Sequence, residues 1–150
     1  MQSCMRREAV RRLAILVASV AMVPSAVQSA EQMPMAIKGY DPVAYFTLGK
    51  ATRGKENISL EWDERRYHFA SAEHRELFKA DPVRYAPQFP DYCAMSLARG
   101  EVVEANPENW LVSDGKLYMF GKPYGPGIFQ KDLARNVATA NQNRGLIQRR

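Results

Sequence analysis

Residues 67–93 read YHFASAEHRELFKADPVRYAPQFPDYC, and the order of signals in this stretch sets the expected fold. Tyr67 and Phe69 alternate with His68, the period-two pattern of a strand with one buried face, which puts His68 on the opposite, exposed face. Ser71 follows as an N-cap, and Glu73 sits in the first turn, where the helix dipole favours an anion, so a helix is predicted over 72–80. It must stop near Asp81, because a residue before proline is pushed out of the α region. Asp81 and Pro82 open a second short turn that Pro87 closes. On the helix, Leu77 and Phe78 lie three and four residues after His74, so all three are expected on one face, with His74 aimed at the core. The stretch ends on Cys93.

Upstream, Ile58, Leu60 and Trp62 alternate with polar residues, so 58–70 reads as a β-hairpin turning at residues 63–66. Asp41 caps a helical turn opened by Pro42, with Val43 and Phe46 on one face. Residues 31–36 read as a short mobile leader. Downstream, 92–98 reads as a helix ended by Gly100, and 101–109 as an acidic connection. Ser113-Asp114-Gly115 turns a second hairpin. Residues 121–127 form a loop dense in helix breakers, and 129–143 a terminal helix with Leu133, Val137 and Ala140 as its apolar stripe. Tyr40, Tyr45, Tyr67 and Tyr85 are most simply core and interface aromatics. The expected fold is a small single α+β domain with two β-hairpins packed against short helices and a C-terminal helix.

Arg6, Arg7, Arg11 and Arg12 precede an apolar run over 13–23 and small and polar residues through Ala30. This reads as a signal peptide over 1–30, removed on export by the general secretory route. The run is too short for a spanning helix, which needs roughly 20 apolar residues, and no second one follows, so no membrane span is expected once the signal is gone. The expected location is periplasmic or secreted. Removing residues 1–30 takes the formal charge from +5 to +2, so the basic character belongs largely to the signal and a nucleic-acid partner loses its basis. Cys4 leaves with the signal, and Cys93 then has no internal partner for a disulfide. A lone exported thiol is buried, metal-bound, paired between chains, or reactive.

The blocks Lys38-Gly39-Tyr40-Asp41-Pro42-Val43-Ala44-Tyr45-Phe46 and Tyr67-His68-Phe69-Ala70-Ser71-Ala72-Glu73-His74-Arg75 resemble exported YHS-domain proteins. The likeness continues through Ala80-Asp81-Pro82-Val83-Arg84-Tyr85-Ala86-Pro87-Gln88 and Tyr92-Cys93-Ala94, and takes in nearly the whole of 31–150, with a core motif over about 37–95. It implies a heavy-metal-associated domain, of the kind appended to copper-transporting ATPases. Metal-type members carry a cysteine after Asp-Pro-Val and two more at the strand-to-helix junction. Here Ala44 and Ala70 stand at two of those positions and His74 at the third, while Cys93 lies in the Tyr-Cys-Ala block that exported members share.

Imidazole and thiolate are ligands that suit copper or zinc. The expected site is therefore a metal pair, His74 and Cys93, holding copper, with zinc as the other candidate ion. Asp91, Met95, Glu73 and His68 are the residues available to complete it, although His68 also reads as an exposed strand residue and Met95 as core. The expected role is storage, delivery or sensing, with a metal-handling protein as partner, and no catalysis. Two other readings stand beside it. In one, His74 is a hydrogen-bonded core histidine, Cys93 is a small buried hydrophobe, and the domain is a metal-free periplasmic interaction module that makes contact around Pro123 and Pro126. In the other, Cys93 is an enzyme nucleophile activated by His74.

Overall fold

The two hairpins form as the alternation predicts. In a computed structural model that describes residues 33–148, β1 (Lys55–Trp62) pairs antiparallel with β2 (Arg65–Phe69), and β3 (Asn106–Ser113) with β4 (Lys116–Phe120). The signal-peptide reading falls outside the described residues. Both hairpins turn on two residues with positive φ, Asp63 and Glu64 in the first and Asp114 and Gly115 in the second, which is the turn whose twist matches that of the flanking strands. β1 starts earlier than its alternation, because an irregularity between Lys55 and Ser59 lets the strand continue past Ile58. β3 likewise takes in Pro107 across an irregularity between Asn106 and Trp110, so the expected acidic connection is strand from residue 106 onward.

The helices follow their capping signals. α1 (Ala44–Thr47) opens just after Asp41 and Pro42, and α2 (Ala72–Ala80) has Ser71 as its N-cap, accepting from the His74 amide. Asp81 ends α2 and caps α3 (Pro82–Tyr85) through the Arg84 amide. Next comes α4 (Ala94–Ala98), followed by α5 (Gly125–Gln130) and α6 (Leu133–Gln142). The expected single terminal helix is in fact these last two, because the chain leaves the α region at Asp132, with φ −144° and ψ 65°. The break lets Phe129 of α5 enter the core, 5.3 Å between ring centres from both Tyr118 and Phe120. The fold is thus a small α+β domain, and no helix among the described residues is long and apolar enough to cross a membrane.

β4 separates two cores. Leu117 and Met119 face one that contains Val43, Tyr45, Tyr67, Phe69 and Phe78, whereas Tyr118 and Phe120 face another that contains Phe89, Cys93, Leu97 and Phe129. A strand buried on both faces needs apolar side chains at successive positions, and residues 117–120 supply them. Phe78 stacks between Tyr67 and Phe69 with ring centres at 4.6 and 5.3 Å, and burial of one such ring is worth about 1.5–3 kcal/mol.

Three expectations are corrected. Leu77 is partly exposed while His74 and Phe78 are buried, so the buried stripe of α2 runs through the i, i+4 pair alone. The supposed leader is not loose where it can be seen: Met35 bridges Arg66 beside β2, Ala36 and Ile37 are buried, and the Ile37 amide donates to Asp91 at 2.7 Å. His68 is not on an exposed face but only 6% exposed, because backbone packs against the side of β2 that the alternation left open to solvent.

Candidate functional site

Asp41 is a hub in physical terms: it is completely buried and its carboxylate is saturated by donors from three parts of the chain. Oδ1 accepts from the amides of Val43 at 2.8 Å and Ala44 at 3.3 Å, the local cap that opens α1. Oδ2 accepts from the Ala70 amide at 2.8 Å, at the end of β2, and from His74 Nδ1 at 2.6 Å, in the first turn of α2. A buried carboxylate is tolerable only with such pairing, since an unpaired charge in the interior is strongly unfavourable.

The carboxylate keeps the imidazole proton on Nδ1, and Nε2 lies 3.0 Å from Thr47 Oγ1 at the end of α1. Thr47 Oγ1 also lies within hydrogen-bonding distance of the Val43 carbonyl, at 3.2 Å. Both nitrogens of His74 are therefore engaged, and a metal ion at His74 would have to displace Asp41 or Thr47. Positions 44, 70 and 74, where the family likeness sets metal-ligand cysteines, do converge. They converge on Asp41, through two backbone amides and one imidazole.

Cys93 sits in the other core. It is 5% exposed, packs in the cluster of Phe89, Leu97, Tyr118 and Phe129, and its Sγ accepts from the Ser96 amide at 3.4 Å as the cap of α4. Its own amide donates to Val103 at 2.8 Å. His74 and Cys93 share no hydrogen-bond partner among the described residues. Of the residues set to complete a metal site, Asp91 holds the Ile37 amide and pairs with Arg65, which fixes the entry of the chain against β2. Glu73 is exposed in the first turn of α2, and Met95 is half-buried against the second core. No group of three or more His, Cys, Asp and Glu is arranged to hold a metal ion among the described residues.

His68 is the remaining imidazole, and its surroundings differ from those of His74. Its Nε2 is buried with no hydrogen-bond partner among the described residues. Its backbone and Cβ are so close to Gly54 that a Cβ there would lie 2.4 Å from the His68 carbonyl carbon. Gly39, with φ +81°, borders the ring itself: a Cβ there would be 3.6 Å from His68 Nδ1 and 3.0 Å from Met35 Sδ. The Gly54 amide donates to the Gly39 carbonyl at 2.9 Å, which ties the two glycines together beside β2. Ile37, Lys38 and Gly39 all have positive φ, a run whose first two residues carry strain that the packing around Asp91 sustains.

Two buried tyrosines flank these groups. Burial holds the phenol of Tyr45 well above its ordinary pKa, and its hydroxyl donates to the Pro107 carbonyl at 3.0 Å. Tyr67 is raised by burial in the same way, with nearby Asp91 adding to the effect, and its hydroxyl has no partner among the described residues.

Sequence reasoning found His74 and its inward direction but not Asp41 as its partner, since a partner 33 residues away leaves no local periodic trace. It missed Thr47 altogether. Met35 and the two glycines beside His68 were also missed, although a glycine in each of two polar segments flanking a helical turn was a usable signal. Comparison with protein-family models, with curated proteins and with solved structures returned no match.

Proposed function

We propose that the protein is an exported, non-catalytic binding module of YHS type that takes a transition-metal ion, copper foremost. The observation that carries this reading is the contrast between its two imidazoles: His74 is tied at both nitrogens, while His68 is buried with one nitrogen unpaired. A buried polar atom without a partner calls for an explanation, and a bound ion is one. The Asp41–His74–Thr47 chain then holds the fold, linking α1, the end of β2 and α2. Catalysis by Cys93 has no support from geometry, because the imidazole that would activate it is committed elsewhere and the thiol caps a helix. The test is equilibrium dialysis of the purified protein against copper and zinc with metal analysis. About one equivalent of copper retained is expected, and no retained metal of either kind would end the reading.

A second reading, a metal-free interaction module, is favoured by Tyr124. This aromatic is 63% exposed between Pro123 and Pro126 at the start of α5, a position suited to contact with another protein. It predicts that Tyr124→Ser lowers retention of a partner on immobilised protein without changing the stability of the fold.

A further inference from the structure

We infer that Met35 and His68 together form a soft-metal site, with Cu(I) as its ion. The inference rests on the metal-binding reading above and names a site other than the His74 and Cys93 pair.

The side chains arrive from two separate segments and both border Gly39. Met35 bridges Arg66 of β2, and Gly39, four residues on, has no side chain, so the thioether sulfur and His68 Nδ1 both lie against the same Gly39 backbone. Any side chain at 39 would meet both. His68 is buried, with its backbone and Cβ close against Gly54, so the residue is set in place before any ion arrives, while Met35 is 48% exposed and can admit one. The nitrogen that lies toward Met35 is Nδ1, while Nε2 is buried without a hydrogen-bond partner among the described residues, so the ring is not tied into the fold at that end.

The donor types decide the ion. A thioether is a soft, neutral ligand that selects Cu(I), and imidazole also suits copper. Calcium and magnesium want several oxygens, and a structural zinc site wants four ligands drawn from Cys, His and carboxylate. Two neutral donors leave the single positive charge of Cu(I) as the only charge the site has to accommodate. The groove that leads to Met35 has a volume of about 120 Å³ and is lined also by Ile37, Lys38, Asp91, Glu104 and Met119, with Glu104 paired to Lys38 and Asp91 to Arg65.

The experiment uses the purified protein with Ag(I) as a redox-inert stand-in for Cu(I), and Cu(I) itself in competition with a chromophoric chelator. With methyl-labelled methionine, Ag(I) is expected to shift the Met35 ε-methyl resonance and the His68 ring resonances and to leave Met95 and His74 unmoved. Met35→Leu preserves size at a partly exposed position and so leaves folding intact. Loss of a ligand should weaken Cu(I) binding by more than the roughly 10- to 100-fold that loss of a supporting contact costs a metal site. His68→Gln, checked for folding by circular dichroism, should do the same, and Cys93→Ser should not. Wild-type Cu(I) affinity in Met35→Leu, or an unmoved Met35 methyl, overturns the site. Copper binding that is lost in Cys93→Ser instead would overturn the site while leaving the metal-binding reading in place.

Discussion

His74 Nδ1 donates to Asp41 Oδ2 across 2.6 Å, and the same carboxylate also accepts the amides that end β2 and open α1. One buried side chain thus joins α1, which it caps locally, to the end of β2 and the start of α2, 29 and 33 residues away. Removing one partner of such a buried pair leaves the rest uncompensated, so Asp41→Ala should cost about 3–5 kcal/mol. Asp41→Asn keeps the shape but turns an amide donor toward an N–H group, and should recover only part of that loss. Urea titrations of the three proteins measure both, and a cost below about 1 kcal/mol for Asp41→Ala would remove Asp41 from its place as hub.

Cys93 should behave as a buried thiol. With 5% exposure and its sulfur at the start of α4, it should react with a maleimide at near neutral pH only as fast as the domain opens, and fully in denaturant. Replacing His74 by Asn should change that rate only to the extent that it changes stability. A fast native reaction that slows specifically in His74→Asn would instead support the thiol-imidazole enzyme.

The parts of the fold that were legible in the sequence are those with local causes. Ser71, Asp81 and Pro82 fix α2 and α3 through capping and proline geometry, and Asp114-Gly115 fixes the second turn, all from neighbours within four residues. The candidate site was only half legible because its decisive contacts are long-range. Asp41 could be read as a cap of α1 but not as the acceptor for Ala70 and His74, 29 and 33 residues later. His68 was misplaced because alternation assumes that one strand face meets solvent, and here the backbone of residues 39 and 54 covers that face.

The two buried tyrosines should respond oppositely to loss of the hydroxyl. Tyr67→Phe removes an unpartnered buried group and should be neutral or stabilising by about 1 kcal/mol, while Tyr45→Phe breaks the bond to Pro107 and should cost about 1 kcal/mol. Both phenols are raised by burial, so the unfolded chain loses these protons first as the pH climbs. Stability should therefore be independent of these groups below about pH 10 and fall above it, with a shallower fall in either Phe variant. Denaturant midpoints measured from neutral pH to about pH 11 decide it, and an unchanged alkaline slope in both variants would contradict the burial argument.

Gly54 carries the last prediction, because it lies against the backbone of His68. Its amide holds the Gly39 carbonyl, and a Cβ at 54 would fall 2.4–2.6 Å from the backbone and Cβ of His68, which are parts of a paired strand and cannot swing aside. Gly54→Ala should therefore cost at least about 1–3 kcal/mol, the usual range for overpacking. Gly127→Ala is the control: it lies in α5 with open space around it, and there alanine should be neutral or stabilise by up to about 1 kcal/mol. Thermal and urea unfolding of the two variants separate a general glycine effect from this particular contact. If Gly54→Ala matches wild type, β2 is free to shift at residue 68. The imidazole is then not held ready beside Met35, and the reason for a buried histidine with an unpaired nitrogen has to be sought elsewhere.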